Sequence, residues 1–262
     1  MNLDISISGL VFGLLLVLPT MALVWLFKLE LNKRIAISVL RMVVQLAFVG
    51  LYLKYVFVLN SPWVNMAYVS VMIVAASASS IRSSSLKLKP FVGPTIFAVA
   101  IPALLSLFYF NWAIIQYDNI FEAQLIIPIA GLMLGNTLKS NIVALKTFYN
   151  ALSNDEKKYQ FLLSLGANRF EAVRPFMKES IRTAMAPNLA SMATLGLVSL
   201  PGVMTGQILG GADPVIAVKY QVMVMIVIFF NSIFSNILQL LFSMRYAFDK
   251  MDNLNKSVLS EK

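Results

Sequence analysis

The chain has 262 residues, 59 % of them hydrophobic and 13 % charged, and a mean hydropathy of +0.78, which excludes an ordinary soluble domain. It holds neither cysteine nor histidine, so a disulfide framework, a thiolate metal site and the commonest general base are excluded as well. In so apolar a chain the formal charge of +9 points to basic loops on one face of a membrane rather than to nucleic acid.

A hydrocarbon core of about 30 Å takes roughly 20 uncharged residues to cross, and such runs follow one another along the chain. The first, 5–27, has no basic stretch before it and no small-residue cleavage site after it, so it reads as a retained helix. The second, 35–53, is interrupted only by Arg41; 55–81 and 90–117 come next. The fifth starts at Ala123 and extends to about Leu145, with Lys139 and Lys146 snorkelling. Segments 183–212 and 220–244 complete a count of seven. Thirty helical residues would measure about 45 Å, so 183–212 has to bend. Pro201-Gly202 reads as the break, and Asp213-Pro214 as an N-cap followed by a first-turn proline.

The basic residues sort by side. Lys28, Lys33, Arg34, Arg82, Lys87, Lys89, eight residues from Lys139 to Arg182, and Arg245, Lys250, Lys256 and Lys262 fall on one side. Only Lys54 and Lys219 fall on the other, beside Asp4, Asp118, Glu122 and Asp213. The positive-inside rule then places the N-terminus outside and the C-terminus inside. The expected fold is all-α, a single polytopic domain over 1–262 in the cell inner membrane. It carries a cytosolic insert at about 146–182 and a flexible basic tail at 245–262.

The insert has its own punctuation. Ser153 and Glu156 form a capping-box pair that opens a helix through Tyr159, Phe161, Leu162 and Leu165, and Gly166 stops it. Asn168 and Glu171 form a second pair, opening a helix with Phe170, Val173 and Phe176 on one side. One reading is a loop lying on the membrane. The other is a knob of Phe161, Leu165, Gly166, Ala167, Phe170, Glu171 and Phe176 that docks in a groove of a soluble partner.

No phosphate loop, zinc spacing, catalytic triad or carboxylate pair occurs, so the chain reads as a transport subunit and not as an enzyme. Gly202, Gly206 and Gly210, with Gly211 behind them, make a tandem small-residue stripe; Gly9/Gly13 and Gly131/Gly135 repeat the spacing. The stripe reads as helix packing or as a pivoting, gating face. Pro201 cannot donate to the carbonyl of Leu197, which frees an acceptor at membrane depth. Met204 and Gln207 lie beside it, either packed or facing a pathway. Arg41 and Gln45 share a helical face, and Arg41 either lines a pathway or snorkels to the interface. Asn136, Asn231, Asn236 and Gln239 add polar lining or interhelical hydrogen bonds.

Leu165-Gly166-Ala167, with Ala172 and Ile181 ahead of a span, resembles the cytoplasmic coupling loop of ABC-transporter permeases, although the glutamate-alanine-alanine start is missing. Residues 197–211, LVSLPGVMTGQILGG, resemble more specifically the signature of the FetB-like permeases, bacterial iron-export subunits related to plant aluminium-tolerance permeases. Ala217-Val-Lys-Tyr-Gln221 and the seven-span layout extend the likeness over nearly the whole chain. The resemblance implies an iron exporter that works as a permease homodimer in the bilayer with a separate cytosolic ATP-binding subunit. ATP and its Mg then belong to that partner, and this chain binds no cofactor. With neither histidine nor cysteine, any exported metal must meet oxygen ligands or methionine thioethers, and no residue set for it is assigned. Two alternatives stay open: export of an anionic organic or nucleotide-sugar cargo, with Arg41 as counter-charge, and a passive channel without an ATPase.

Overall fold

The computed structural model describes residues 6–116, 119–249 and 252–255, so the expectations for Asp4, Asp118, Lys250, Lys256 and Lys262 fall outside it. Among the described residues the structure is helical, with two isolated bridges and no strand. It divides into two compact units, one of residues 1–60 with 209–211 and one of 61–208 with 212–262.

The first unit is built from α1 (Ile7–Leu15), α2 (Val17–Leu26) and α3 (Asn32–Leu59). The Ser6 hydroxyl caps α1 by accepting from the Gly9 amide at 3.2 Å. Pro19 lacks the N–H that would reach Leu15, and the first apolar run breaks next to that position, at Leu16. Lys28 and Glu30 turn the chain with positive φ. The α3 helix runs past Lys54 and stops at Asn60, φ 39°, with Pro62 opening the next helix. The second and third predicted segments therefore divide at Asn60-Ser61, where an asparagine that tolerates the left-handed region meets a first-turn proline.

The second unit holds α4 (Pro62–Ser83), α5 (Leu88–Tyr109) with a π-helical turn Phe110–Ile115, α6 (Ala123–Asn154), α7 (Glu156–Ser164), α8 (Arg169–Thr194), most of α9 (Gly202–Leu209) and α10 (Pro214–Ala247). The α5 and α6 helices each pack on α4 and on α10, while α8 lies against α6 and α10. Three side-chain pairs set the direction of α6 and α10. Thr137 meets Asn231, Asn141 meets Ser235 and Tyr149 meets Ser243, each pair 94 residues apart. A constant difference means parallel helices in one register. Ser140 and Asn236 both reach Met185, which places that part of α8 beside the middle of the α6–α10 pair.

Among the described residues six helical runs are long and apolar enough to cross a membrane: Ile7–Leu26, Asn32–Leu59, Pro62–Ser83, Leu88–Ile115, Ala123–Asn154 and Pro214–Ala247. The predicted sixth, 183–212, is not one helix. It comprises the end of α8, a break at 195–201 and α9. The break sits at Gly196, φ 82°, whose amide donates to Ser199 O at 3.0 Å. Pro201 does not interrupt a helix, contrary to the expectation. Its carbonyl accepts from the Thr205 amide at 2.9 Å and so begins α9. Asp213 caps α10 as expected, with Oδ1 2.7 Å from the Val215 amide.

Two further expectations are corrected. Ser153 and Glu156 form no capping box, because α6 runs on through Ser153 to Asn154 and Asp155 makes no side-chain cap. Leu145, Phe148, Tyr149 and Leu152 keep a helical apolar spacing that buries against α8 and α10, and that packing overrides the local stop signal. The stretch after Arg245 is not loose throughout. Phe248 bridges to Leu254, both are buried, and the Asn255 amide donates to Ala247 O at 2.8 Å.

Candidate functional site

The corner between α7 and α8 is built from backbone chemistry that the sequence specifies locally. The Gly166 amide donates to Leu163 O at 2.9 Å and the Ala167 amide to Leu162 O at 3.2 Å, the paired bonds of a Schellman stop. Gly166 sits at φ 89°, where a Cβ would be strained. Asn168 then caps α8. Its Oδ1 accepts from the Glu171 amide at 3.0 Å, and Glu171 Oε2 accepts from the Asn168 amide at 2.8 Å. The result is a rigid elbow from which Phe161, Leu165 and Phe170 project, 61 %, 67 % and 53 % exposed. Phe176 does not join them. It is 5 % exposed and packs in the core with Phe148 and Val173, so it leaves the predicted docking set.

The elbow is tied from behind by a C-terminal hook, described at 248–249 and 252–255. Tyr159 is fully buried on α7, and its hydroxyl donates to Asp252 O at 2.8 Å while its ring lies 5.4 Å from that of Phe248. Burial, with the Asp252 carboxylate adding to it, pushes the Tyr159 phenol up to about 12. Arg169 on α8 forms an ion pair with Asp252 and stacks over Phe248, 5.4 Å from the ring centre. Gln160 donates to Asn253 Oδ1 at 2.9 Å. The hook escaped the sequence reading, although an apolar pair, Phe248 and Leu254, flanking Asp249 and Asp252 in a basic stretch signals it.

A polar seam runs between α6 and α10 and separates two apolar clusters, one around Phe91, Phe148 and Met244 and the other around Ile73, Phe110 and Val227. Asn231 Nδ2 donates to Thr137 Oγ1 at 2.6 Å, Asn141 Nδ2 to Ser235 Oγ at 3.0 Å, and Asn236 Nδ2 to Ser140 Oγ at 2.5 Å. Gln239 Nε2 donates to Ser80 and Thr95 at 3.3 and 3.4 Å, which joins α4 and α5 to the seam. All four amides are buried, and the oxygen of each has no hydrogen-bond partner. Of these, Asn231, Asn236 and Gln239 were visible as candidate lining. Asn141 and the hydroxyl partners were not, because the 94-residue register cannot be read from one helix.

The other predicted pathway residues are dispersed. Arg41 and Gln45 lie exposed one turn apart on α3 of the first unit. Asn136 is half-buried on α6 and spends its Nδ2 on Leu132 O of its own helix at 2.8 Å. Met204 and Gln207 are half-buried on α9, and Gln207 Oε1 has no partner. A Cβ on Gly202 or Gly206 would meet nothing within 4 Å, so neither is packed against a neighbour within the chain. Gly210 is exposed, and Gly211, φ 94°, serves the turn into α10. Among the described residues no group of three or more Asp or Glu is placed to hold a metal ion.

The model of the family described as "Uncharacterised protein family (UPF0014)" matches residues 7–248. The chain is 32 % identical to the probable iron export permease protein FetB of Escherichia coli, over 99 % of this chain and 98 % of that protein. It is 30 % identical to protein ALUMINUM SENSITIVE 3 of Arabidopsis thaliana, over 81 % of this chain and 77 % of that protein. The UPF0014 membrane protein STAR2 of Oryza sativa is also 30 % identical, over 80 % and 73 % of the two chains. No solved structure matches. With the family match spanning nearly every described element and six apolar helices behind it, the chain belongs to the UPF0014 family and is a multi-pass membrane protein.

Proposed function

We propose that the chain is the permease subunit of an ATP-driven iron exporter in the cell inner membrane. It works as a homodimer with two copies of a separate cytosolic ATP-binding subunit. The observation that carries this reading is the α7–α8 elbow, which presents Phe161, Leu165 and Phe170 to solvent on a corner stiffened by a Schellman stop and a capping box. Exposed aromatic and leucine anchors framed by Lys157, Lys158, Arg169 and Glu171 suit a groove on a soluble partner. ATP and Mg belong to that partner, whose closure pushes on the elbow. The α8 helix is continuous from Arg169 to Thr194, so the push reaches the break at Gly196 undivided, and the Pro201–Gly211 segment lies just beyond that joint.

The seven-pass layout belongs to this reading. Because α6 and α10 are parallel, the chain between them has to return along their length, and α8, the break and α9 are the return. Arg82, Lys87 and Arg245 flank the ends of α4, α5 and α10 that gather around Phe91 and Met244, and Lys146 lies on α6 beside the same cluster, which suits a cytosolic face. Met204 and Gln207 on α9, with the seam amides, are the favoured contacts for the cargo; Arg41, Gln45 and Asn136 are secondary. The likeness to the Escherichia coli protein supports iron as that cargo.

The test is transport in sealed vesicles holding the permease and its ATPase, comparing ferrous iron with organic anions. ATP-dependent movement of iron is expected, and Gly166→Pro abolishes it while leaving membrane insertion intact. Movement of organic anions alone would remove iron from the reading. Flux indifferent to both ATP and Gly166→Pro would make the chain a passive channel.

A further inference from the structure

The seam holds more hydrogen-bonding capacity than its rungs use. An interhelical rung needs one donor and one acceptor, yet Asn141, Asn231, Asn236 and Gln239 each bring a whole amide to the core. Each amide donates through nitrogen to a hydroxyl and leaves its oxygen buried without a partner. A buried carbonyl oxygen that accepts nothing is costly to keep, the more so at membrane depth. Serine or threonine in place of each amide would hold the helices together with no such surplus. The surplus suits a ligand that accepts electron pairs, either a hydrogen-bond donor or a cation.

Met185 sharpens the class. Its thioether reaches the seam from α8, with Asn236 Nδ2 at 3.4 Å and Ser140 Oγ at 3.7 Å, so the sulfur is held beside two of the polar groups. The thioether is a soft ligand, so the set suits a borderline transition-metal ion better than a magnesium or calcium ion, which take oxygen ligands alone. The absence of any cluster of acidic residues among the described positions makes a long-lived resident site unfavourable. Weak, multiple contacts are what an ion in passage requires, since an ion held tightly does not leave.

We propose that the α6–α10 seam is a transit site for a transition-metal cation, contacted by the side-chain oxygens of Asn141, Asn231, Asn236 and Gln239 and by the sulfur of Met185. The proposal rests on the exporter reading and names where in the chain the cargo is handled. The ion enters as the rungs part and replaces their nitrogen-to-hydroxyl bonds with oxygen-to-metal contacts.

Equilibrium dialysis of ferrous ion against the purified full-length permease, without ATPase or nucleotide, is the test. Wild-type chain should bind ferrous ion weakly and reversibly. Asn236→Leu and Met185→Leu should each weaken binding by ~10-fold or more, and the second, close to isosteric, guards against a mere folding defect. Asn231→Asp keeps the shape and adds a negative charge, so it should tighten binding and slow release. A purely structural amide gains no affinity from that change. Absence of ferrous binding by wild-type chain, or binding that all three substitutions leave unchanged, overturns the proposal. Because no flux is read, failure of the exporter reading shows separately, as a seam that binds iron in a protein that moves none.

Discussion

Tyr149 on α6 donates to Ser243 on α10 at 2.8 Å, and the 94 residues between them recur in the Asn141–Ser235 and Thr137–Asn231 pairs. Helices in this relation begin at the same end of the bundle. A short hairpin cannot join them, and the 26 residues of α8 run about 39 Å of the way back. The topology of the permease is thus written into three hydrogen bonds.

That relation predicts opposite sidedness for the two ends of the return. The chain has no cysteine, so single reporters can be introduced at Ser164 and Ala212, both exposed. In intact spheroplasts an impermeant maleimide should label Ala212→Cys and spare Ser164→Cys, with both labelled after lysis. Labelling of both in intact spheroplasts would mean that α8 and α9 do not carry the chain across.

The elbow predicts a separation of stability from coupling. Phe161, Leu165 and Phe170 are mostly exposed, so serine at each should leave the melting temperature of the purified permease nearly unchanged. If two of them anchor the ATPase at about 2 kcal/mol each, each substitution weakens the complex roughly 30-fold. Pull-down with the ATPase and ATP-driven flux should fall together. Phe176→Ser should do the reverse, lowering the melting temperature because it empties a core position.

The hook predicts an alkaline limit. Folding raises the Tyr159 pKa from 10.0 to about 12, chiefly by burial. The folded chain therefore keeps a proton that the unfolded chain releases first. Its contribution is complete below pH 10 and is lost as pH climbs from about 10 through about 12. Hydrogen exchange of α7 should accelerate over that interval, and Tyr159→Phe should remove this part of the dependence. Arg169→Ala should matter less, because its ion pair with Asp252 is more than a third exposed and worth under about 1 kcal/mol.

Local chemistry was legible in the sequence. The Asn168/Glu171 box, the Gly166 stop and the Asp213 cap each depend on residues within one turn, and each stands where the spacing put it. What failed needed distant partners. Ser153 lost its cap because Leu145, Phe148 and Leu152 found cover on other helices. Phe176 faces inward because α8 lies against α6, which its own amphipathic pattern does not reveal. Pro201 drew the break that Gly196 makes five residues earlier. The seam was half visible, since Asn231, Asn236 and Gln239 stand out in an apolar run while their partners lie on another helix.

The glycine face of α9 yields the last prediction. Gly202 and Gly206 stand one turn apart with open space where each side chain would be. Within a single chain the Cβ of Gly206→Leu meets nothing within 4 Å, and the change replaces the weakest helix former after proline with one of the best. That change stabilises a helix by up to about 1 kcal/mol. If the face is instead where a second copy approaches, leucine holds the backbones apart and dissociates the dimer. The two effects have opposite signs, so purified Gly206→Leu permease should melt no lower than wild type yet elute as a monomer and lose ATP-driven flux. A variant that remains dimeric and active would remove α9 from the subunit interface and leave its glycines to the movement of the segment alone.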